Sequence, residues 1–255
     1  MKPTPFGSAL LGRLQNRELL TPYLEASLAD ENWPDSYTVD VDSSPYTGHR
    51  DGKFHPSTHT SPSLGDRRLW LTVHPVYKDR AIRVRRTLQE SMTLAIGSAL
   101  HAVIETQFVM AGLCTPDDIE VPSPVPAHNS TGKADAIVRH PNGRTYIVDI
   151  KTRNSRSYNL DTGPLPQWED QVNVYMDAHG IDEAIILVVE SGFPYRMREE
   201  RVQRDPARLR AIYDRWDAIL ERVKDDDMPE PCCKKGSATM KECPFRRVCW
   251  GEDTP

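Results

Sequence analysis

Residues 132–152, GKADAIVRHPNGRTYIVDIKT, constrain this chain more than any other stretch. Two β-rich runs, Ala134 to His140 and Thr145 to Lys151, flank Asn142-Gly143, whose tolerance of positive φ suits the tight turn of a hairpin. The runs read as antiparallel neighbours. Side chains two apart on a strand share a face, so Asp149 and Lys151 project together while Ile147, Val148 and Ile150 fasten the strand into a sheet. Asp135 lies on the partner strand about as far from the turn as Asp149, which sets the two acids facing each other. Such carboxylates repel unless one is protonated or a cation lies between them. A hard divalent cation, Mg²⁺ or Mn²⁺, accepts oxygen ligands of this kind. The plain alternative is an edge-strand salt bridge between Asp135 and Lys151.

Around the hairpin the periodicity changes. Ser8 to about Asp30 carries Leu10, Leu11, Leu14, Leu19 and Leu20 at helical spacing, with Ser8 as a cap. Trp33 to about Leu64 is rich in proline and polar residues and reads as loop or linker. Helical signal returns near Arg67. Asp79 to about Gly112 is the longest helix candidate, with Ile82, Leu88, Met92, Ile96, Leu100, Val103 and Ile104 forming a broad apolar face. Pro166 to His179 reads as a helix stopped by Gly180, Glu183 to Glu190 as a buried central strand, and Tyr195 to Val202 as an edge strand. Asp205-Pro206 opens a helix that runs to about Lys224.

Composition excludes several classes. The 255 residues are 38% hydrophobic and 27% charged, in the range of a globular protein with a substantial core. No run approaches the roughly 18 apolar residues of a membrane span, and the first residues lack a signal-type apolar core, so a cytoplasmic protein without a membrane partner is expected. A formal charge of −5 argues against a wholly basic nucleic-acid coat but allows a local basic groove. No P-loop, G-x-S-x-G elbow or Cys/His nucleophile pair occurs.

Three further features bear on the acids: GSALH, residues 97–101, inside the long helix; QVNVY, residues 171–175, whose Gln171 and Tyr175 share a helical face; and the order in which they flank the hairpin. The succession GSALH, GKAD, DIK, QVNVY resembles the PD-(D/E)XK nuclease superfamily, specifically its RecB-like branch with the CRISPR-associated Cas-four exonucleases and their phage-encoded relatives. The resemblance covers roughly Ser57 to the C-terminus. It implies an α/β fold with a restriction-endonuclease-like core: a mixed central β-sheet flanked by helices, with a cysteine-rich C-terminal lobe. It places His101, Asp135, Asp149 and the Ile150 carbonyl at the metal, Lys151 beside the attacking water, and Gln171 and Tyr175 as substrate-positioning residues. The activity it implies is metal-dependent hydrolysis of DNA from single-stranded or free ends, with 5′-to-3′ polarity, in recombination, repair or end processing. A helicase, recombinase or CRISPR-adaptation protein would be a partner, and the setting the cytoplasm, or the host cytoplasm if the chain is phage-encoded. A silent DNA-end or protein-binding scaffold and a structure-selective endonuclease are the competing readings.

Cysteines supply a second signal. Cys232, Cys233, Cys243 and Cys249 crowd into nineteen residues, a density that marks a metal site in a cytosolic tail. The resemblance implies a [4Fe-4S] cluster held by one early and three late cysteines, with zinc as the alternative. The chain departs from that pattern in SPSLGDRRLWL, where Gly65 stands at the early position. Cys114 could substitute, Cys232 and Cys233 could both bind, His55 or His59 could enter, or the site could be empty. Arg67, Arg68, Arg80, Arg83, Arg85, Arg86, Arg153 and Arg156 are candidates for a phosphate-binding groove, and Trp70, Tyr158 and Trp168 for base stacking. The expected organisation is a helical and proline-rich segment at 1–64, a nuclease core at 65–228 and a metal-binding tail at 229–255.

Overall fold

The computed structural model describes residues 18–28, 34, 36–39, 46–47, 51–61, 63–82, 84–160 and 163–251. Five strands form one sheet: β1 (Ile119–Pro122), β2 (Lys133–Arg139), β3 (Thr145–Arg153), β4 (Glu183–Glu190) and β5 (Met197–Gln203), in that spatial order. β3 and β4 pair parallel from Ile147↔Ala184 to Arg153↔Glu190, and the other neighbours are antiparallel. The expected architecture is therefore present: a mixed sheet flanked by helices, with the EAIILVVE strand at its buried centre and β5 at one edge. The hairpin forms as its sequence requires, with Gly143 at φ 83° in the turn.

Helices cover both faces. On one, α1 (Thr21–Ser27) and α3 (Leu88–Met110) bury Leu20, Leu24, Ile104 and Phe108 against Val138, Tyr146, Val148 and Leu187. On the other, α5 (Pro166–His179) sets Trp168, Val172 and Met176 on Ile137, Ile147, Ile186 and Val188. The alternation along β2, β3 and β4 produces both layers. A third cluster lies outside α5, where α2 (Asp66–Val73) and α6 (Pro206–Lys224) bury Trp70, Leu209 and Trp216 with Phe54 and with Cys243 and Phe245 from the tail. The tail holds two short helices, Ala238–Glu242 and Arg246–Trp250, and is tied back where the Ile82 amide donates to the Pro244 carbonyl at 2.8 Å.

Several boundaries differ from the sequence reading. The long helix begins at Leu88, not near Asp79, because Thr87 and Glu90 form a reciprocal capping box that sets its first turn. The segment before it forms a 3₁₀ turn and a two-residue strand, Val84–Arg85, paired with Tyr46–Thr47. The broad apolar face is only half used: Leu88, Met92 and Ile96 are exposed, and burial starts beyond Leu100. By length and composition α3 would also suit a membrane span, contrary to the expectation that no segment does, yet its C-terminal half packs on the sheet. The linker expected around residues 33–64 contains a helical turn, Pro56–His59, and the fully buried Phe54. Strand β1 and the helix α4 (Ser155–Leu160) carry little sequence signal. Ser8, Leu10, Leu11, Leu14, Trp33 and Arg83 lie outside the described residues.

One polar anchor ties the N-terminal helix down. Glu199 on β5 accepts from the amides of Leu19, Leu20 and Thr21 and from the Thr21 hydroxyl, at 2.7–2.9 Å. These amides belong to the entry of α1, where helix donors have no intrahelical acceptor. Glu199→Ala should therefore cost about 1–3 kcal/mol and raise amide exchange selectively in residues 19–27. Uniform loss of protection across the sheet would show that Glu199 is not a local anchor.

Candidate active site

The site lies where β2 and β3 part. Their ladder runs from Arg139↔Thr145 to Ala136↔Val148. One residue further on, Asp135 stands opposite Asp149, and its carboxylate takes over the role of a backbone acceptor: Oδ2 receives the Ile150 amide at 2.6 Å. Asp135 and Asp149 thus reach the α5 face of the sheet at the same level, as the hairpin geometry predicts. Asp149 is almost fully buried, 1% exposed.

α5 closes the site from above. The Gln171 Nε2 donates to Asp149 Oδ1 at 2.9 Å and to the Tyr175 hydroxyl at 3.2 Å, while Gln171 Oε1 accepts from Lys151 Nζ at 2.8 Å. The Lys151 ammonium also lies 2.8 Å from Asp149 Oδ2. That contact is ionic without hydrogen-bond alignment, and Oδ2 has no hydrogen-bond partner although it is buried. His101 arrives from α3, its Nδ1 3.7 Å from Asp135 Oδ2 and 4.0 Å from Glu105 Oε1, itself buried without a hydrogen-bond partner. Two glycines permit the approach. A Cβ on Gly97 would stand 3.4 Å from the Thr152 hydroxyl, and one on Gly132 would meet the Tyr175 ring at 3.0 Å.

The electrostatics follow from burial. Desolvation first, and the neighbouring Asp149 second, push the Asp135 carboxyl well above its ordinary value, partly offset by Lys151 and the Ile150 amide. Burial and Glu120 lift Glu105 to about 7. Burial depresses His101, against the pull of Asp149. Burial and Asp149 also hold the Tyr175 phenol above its usual range, so its hydroxyl remains protonated.

The structure brings His101, Asp135, Asp149, Ile150, Lys151, Gln171 and Tyr175 around one cleft of about 460 Å³. Two sequence expectations change. Lys151 pairs with Asp149 rather than with Asp135, so an ammonium already answers part of the charge conflict that the sequence assigns to an inorganic cation. Gln171 is buried at the cleft, with both ends of its amide engaged by Asp149, Lys151 and Tyr175. Trp70, Tyr158 and Trp168 cannot stack on bases as placed: all three are buried, with Tyr158 flanked by the guanidinium groups of Arg196 and Arg198 at 4.9 Å and Arg153 lying 5.3 Å over Trp168. Arg67 is committed to the tail through the Pro229 carbonyl at 2.5 Å.

Sequence reasoning offered His55 to the cysteine site, whereas it lines the acid cleft, and missed Glu105, four residues along the helix from His101. The i,i+4 spacing was the signal for Glu105. Nothing local pointed His55 to the acids, because the packing that brings it there is long-range.

No family model matches the chain, and no curated protein matches it. Among solved structures, SSO0001 is similar at 18% identity, over 93% of this chain and 96% of that one, with a TM-score of 0.47. An alkaline exonuclease, LHK-Exo from Laribacter hongkongensis, is similar at 17% identity over 70% of this chain and 91% of that one, with a TM-score of 0.43; its complex with dAMP gives 16% and 0.42.

The raised acids make a linked prediction. A carboxyl that binds its proton more tightly folded than unfolded favours folding below the ordinary carboxylate range and loses that contribution as pH rises through its folded value. Without divalent cations, the wild type should therefore lose stability relative to Asp135→Asn as pH climbs above the ordinary carboxylate range. For Glu105 the window is about 4.5 to 7. Urea melts of wild type, Asp135→Asn and Glu105→Gln across pH 4–8 measure it, and parallel curves would show that the acids are not strained by folding.

Proposed function

We propose that the chain is a divalent-metal-dependent deoxyribonuclease that hydrolyses phosphodiester bonds at DNA ends. The observation that carries this reading is the meeting of Asp135 and Asp149 at the point where the β2–β3 ladder stops, with Lys151 paired to Asp149 in the same cleft and His101 entering from the opposite helix layer. A structural ion pair would not need a second, half-buried acid held above its ordinary protonation range beside it.

The donor set suits a hard cation. A buried Asp149 oxygen lacks a hydrogen-bond partner, a second acid and an imidazole stand beside it, and oxygen and imidazole ligands are those Mg²⁺ and Mn²⁺ accept. Among the described residues no three His, Cys, Asp or Glu side chains, the tail cysteines included, converge as a ready-made metal site. Held by Asp135, Asp149, His101 and the Ile150 carbonyl, a divalent cation would activate a water and neutralise the phosphate. The chain's own groups supply the rest. Lys151, released from Asp149, orients the nucleophile or a phosphate oxygen, and Gln171 keeps both Lys151 and Asp149 in register. Tyr175, protonated throughout, serves by hydrogen bonding alone. Exonucleolytic action on single-stranded ends with 5′-to-3′ polarity is part of the same proposal and rests on the resemblance of the GSALH, GKAD, DIK and QVNVY succession.

Purified protein with Mn²⁺ should release nucleotides from end-labelled DNA and leave covalently closed circles intact. Asp149→Ala and Lys151→Ala should each lower the rate by at least about 100-fold, and Gln171→Ala should lower kcat more than it raises KM. Equal release by wild type and Asp149→Ala would remove the enzyme reading and leave the scaffold.

The tail extends the proposal to a thiolate-bound metal, a [4Fe-4S] cluster or zinc, at Cys232, Cys233, Cys243 and Cys249. All four are free thiols. Burial raises Cys243 and Cys249, with Arg68 near the first and an Arg67 hydrogen bond to the second pulling towards thiolate, and Cys232 lies within the electrostatic reach of both. A Cβ on Gly65 would fall 1.9 Å from the Cys232 Cβ, so the Cys232 side chain fills the space that a residue-65 cysteine would need. That geometry supports Cys232 standing in for the early cysteine. The other substitutes are elsewhere: Cys114 belongs to the core beneath α3, His55 lines the acid cleft, and His59 packs against Phe54. Anaerobically purified protein should carry iron with broad absorbance near ~400 nm, or zinc with none. Cys232→Ser should lose the metal, and the double variant Gly65→Cys/Cys232→Gly should regain it. A metal content unaffected by Cys232→Ser would overturn the assignment.

A further inference from the structure

A chain gains stability by taking large rings out of water. Among the described residues two aromatic rings stand exposed instead, Phe193 at 86% and Tyr195 at 55%, both on the turn between β4 and β5. The turn has a fixed shape. The Tyr195 amide donates to the Gly192 carbonyl at 2.7 Å, and the Glu190 amide donates to the Arg196 carbonyl at 2.9 Å. Tyr195 sits at φ 57°, a region that strains a bulky residue and that asparagine or glycine would occupy at less cost. A constrained turn that holds two rings in solvent is placed for a ligand rather than for the core.

Its position ties it to the acids. β3, which carries Asp149 and Lys151, ends at Arg153 beside Glu190 of the parallel β4, and the Ser191 amide donates to the Arg153 carbonyl at 2.8 Å. The turn therefore starts two residues of strand beyond Lys151, roughly 7 Å. Its surroundings are basic. Residues 153–160, RNSRSYNL, and 191–198, SGFPYRMR, together hold four arginines and no acid, in a chain whose formal charge is −5. The flanking acids are spent: Glu190 is buried and held by Arg196 at 2.9 Å, Glu199 anchors the entry of α1, and Glu200 pairs with Arg198 at 2.8 Å. The two runs are also joined. Arg196 donates to the Asn159 side chain at 2.8 Å and Arg198 to the Tyr158 carbonyl at 2.7 Å, while Arg156 on α4 is exposed.

We propose that Phe193 and Tyr195 form a stacking platform for unpaired bases of the DNA strand, with Arg156 drawing the strand's phosphates to the same turn. The inference rests on the nuclease reading and names the form of DNA that the site recognises, a strand whose bases are free. The basic surround selects a polyanion over an apolar protein surface. An unpaired base supplies the flat face that exposed rings cover, whatever the sequence, whereas a base within a duplex is already stacked on its neighbours. Phe193 and Tyr195 thus take the stacking role that Trp70, Tyr158 and Trp168, all buried, are not placed to fill.

The test is an abasic scan. Single-stranded oligonucleotides lacking one base at successive positions, and a blunt duplex, are bound without divalent cation by wild type, Phe193→Ala and Tyr195→Asn, and the same proteins are assayed for cutting with Mn²⁺. Both side chains are exposed and asparagine suits a positive φ, so melting temperatures should stay close to wild type. Wild type should bind about 10-fold more weakly when the missing base falls at one or two neighbouring positions. Each variant should bind the intact strand about 10-fold more weakly, should no longer register the abasic site there, and should bind the duplex as wild type does. Phe193→Trp should restore the sensitivity. Arg156→Ala should instead weaken binding of every strand and reduce the log–log salt slope by about 0.7. Variants that bind the intact strand as tightly as wild type, stay sensitive to the abasic site, or lose the duplex equally would overturn the platform, while cutting with Mn²⁺ keeps the nuclease reading. A dimer that Phe193→Ala turns into a monomer, with DNA binding unchanged, would make the turn an interface between copies and overturn it too. A wild type that neither binds nor cuts DNA sinks both.

Discussion

The interaction on which this molecule turns is the meeting of a buried and a half-buried carboxylate at the place where two strands stop pairing. Backbone hydrogen bonds hold β2 and β3 together as far as Ala136 and Val148; beyond that, the Asp135 side chain stands in for the ladder by taking the Ile150 amide. The substitution does two things. It satisfies a backbone donor, and it sets the Asp135 carboxylate 3.7 Å from His101, which comes from the opposite helix layer. The rest of the architecture supports that gap: a central parallel pair to hold β3, a helix to cap the acids, and glycines where the elements come closest.

The charges show how strain is stored without unfolding the chain. Desolvation and mutual repulsion push Asp135 upward, and the structure answers with an ammonium, a backbone amide and a side-chain amide rather than with wholesale neutralisation. Gln171 is central because an amide can present a donor to Asp149 and an acceptor to Lys151 at once. A carboxylate there would bind only the lysine, and a hydrocarbon neither.

Much of this was legible in the sequence, and the part that was not has physical reasons. The hairpin, the facing of Asp135 and Asp149, and the pairing of Gln171 with Tyr175 all follow from short-range periodicity, which a single chain displays openly. The start of α3 was also readable, since Thr87 and Glu90 carry the capping pattern, but the apolar run from Ile82 suggested a longer helix. Lys151 choosing Asp149 over Asp135, and His55 joining the cleft, depend on how separate segments pack. The burial of Trp70, Tyr158 and Trp168 depends on packing in the same way. Strand β1 was obscured by its brevity and by Glu120 at φ 51°, a conformation strands seldom contain.

The parallel pairing of β3 with β4 also sets an order of assembly. The hairpin closes within a short loop, whereas Gln171 reaches Asp149 only after the long crossover through α4 and α5 has returned the chain to the sheet. Local contacts form ahead of distant ones because closing a long loop costs more chain entropy. A ribosome-bound fragment ending before residue 166 would therefore hold both acids without the Gln171 amide that bridges Asp149 and Lys151.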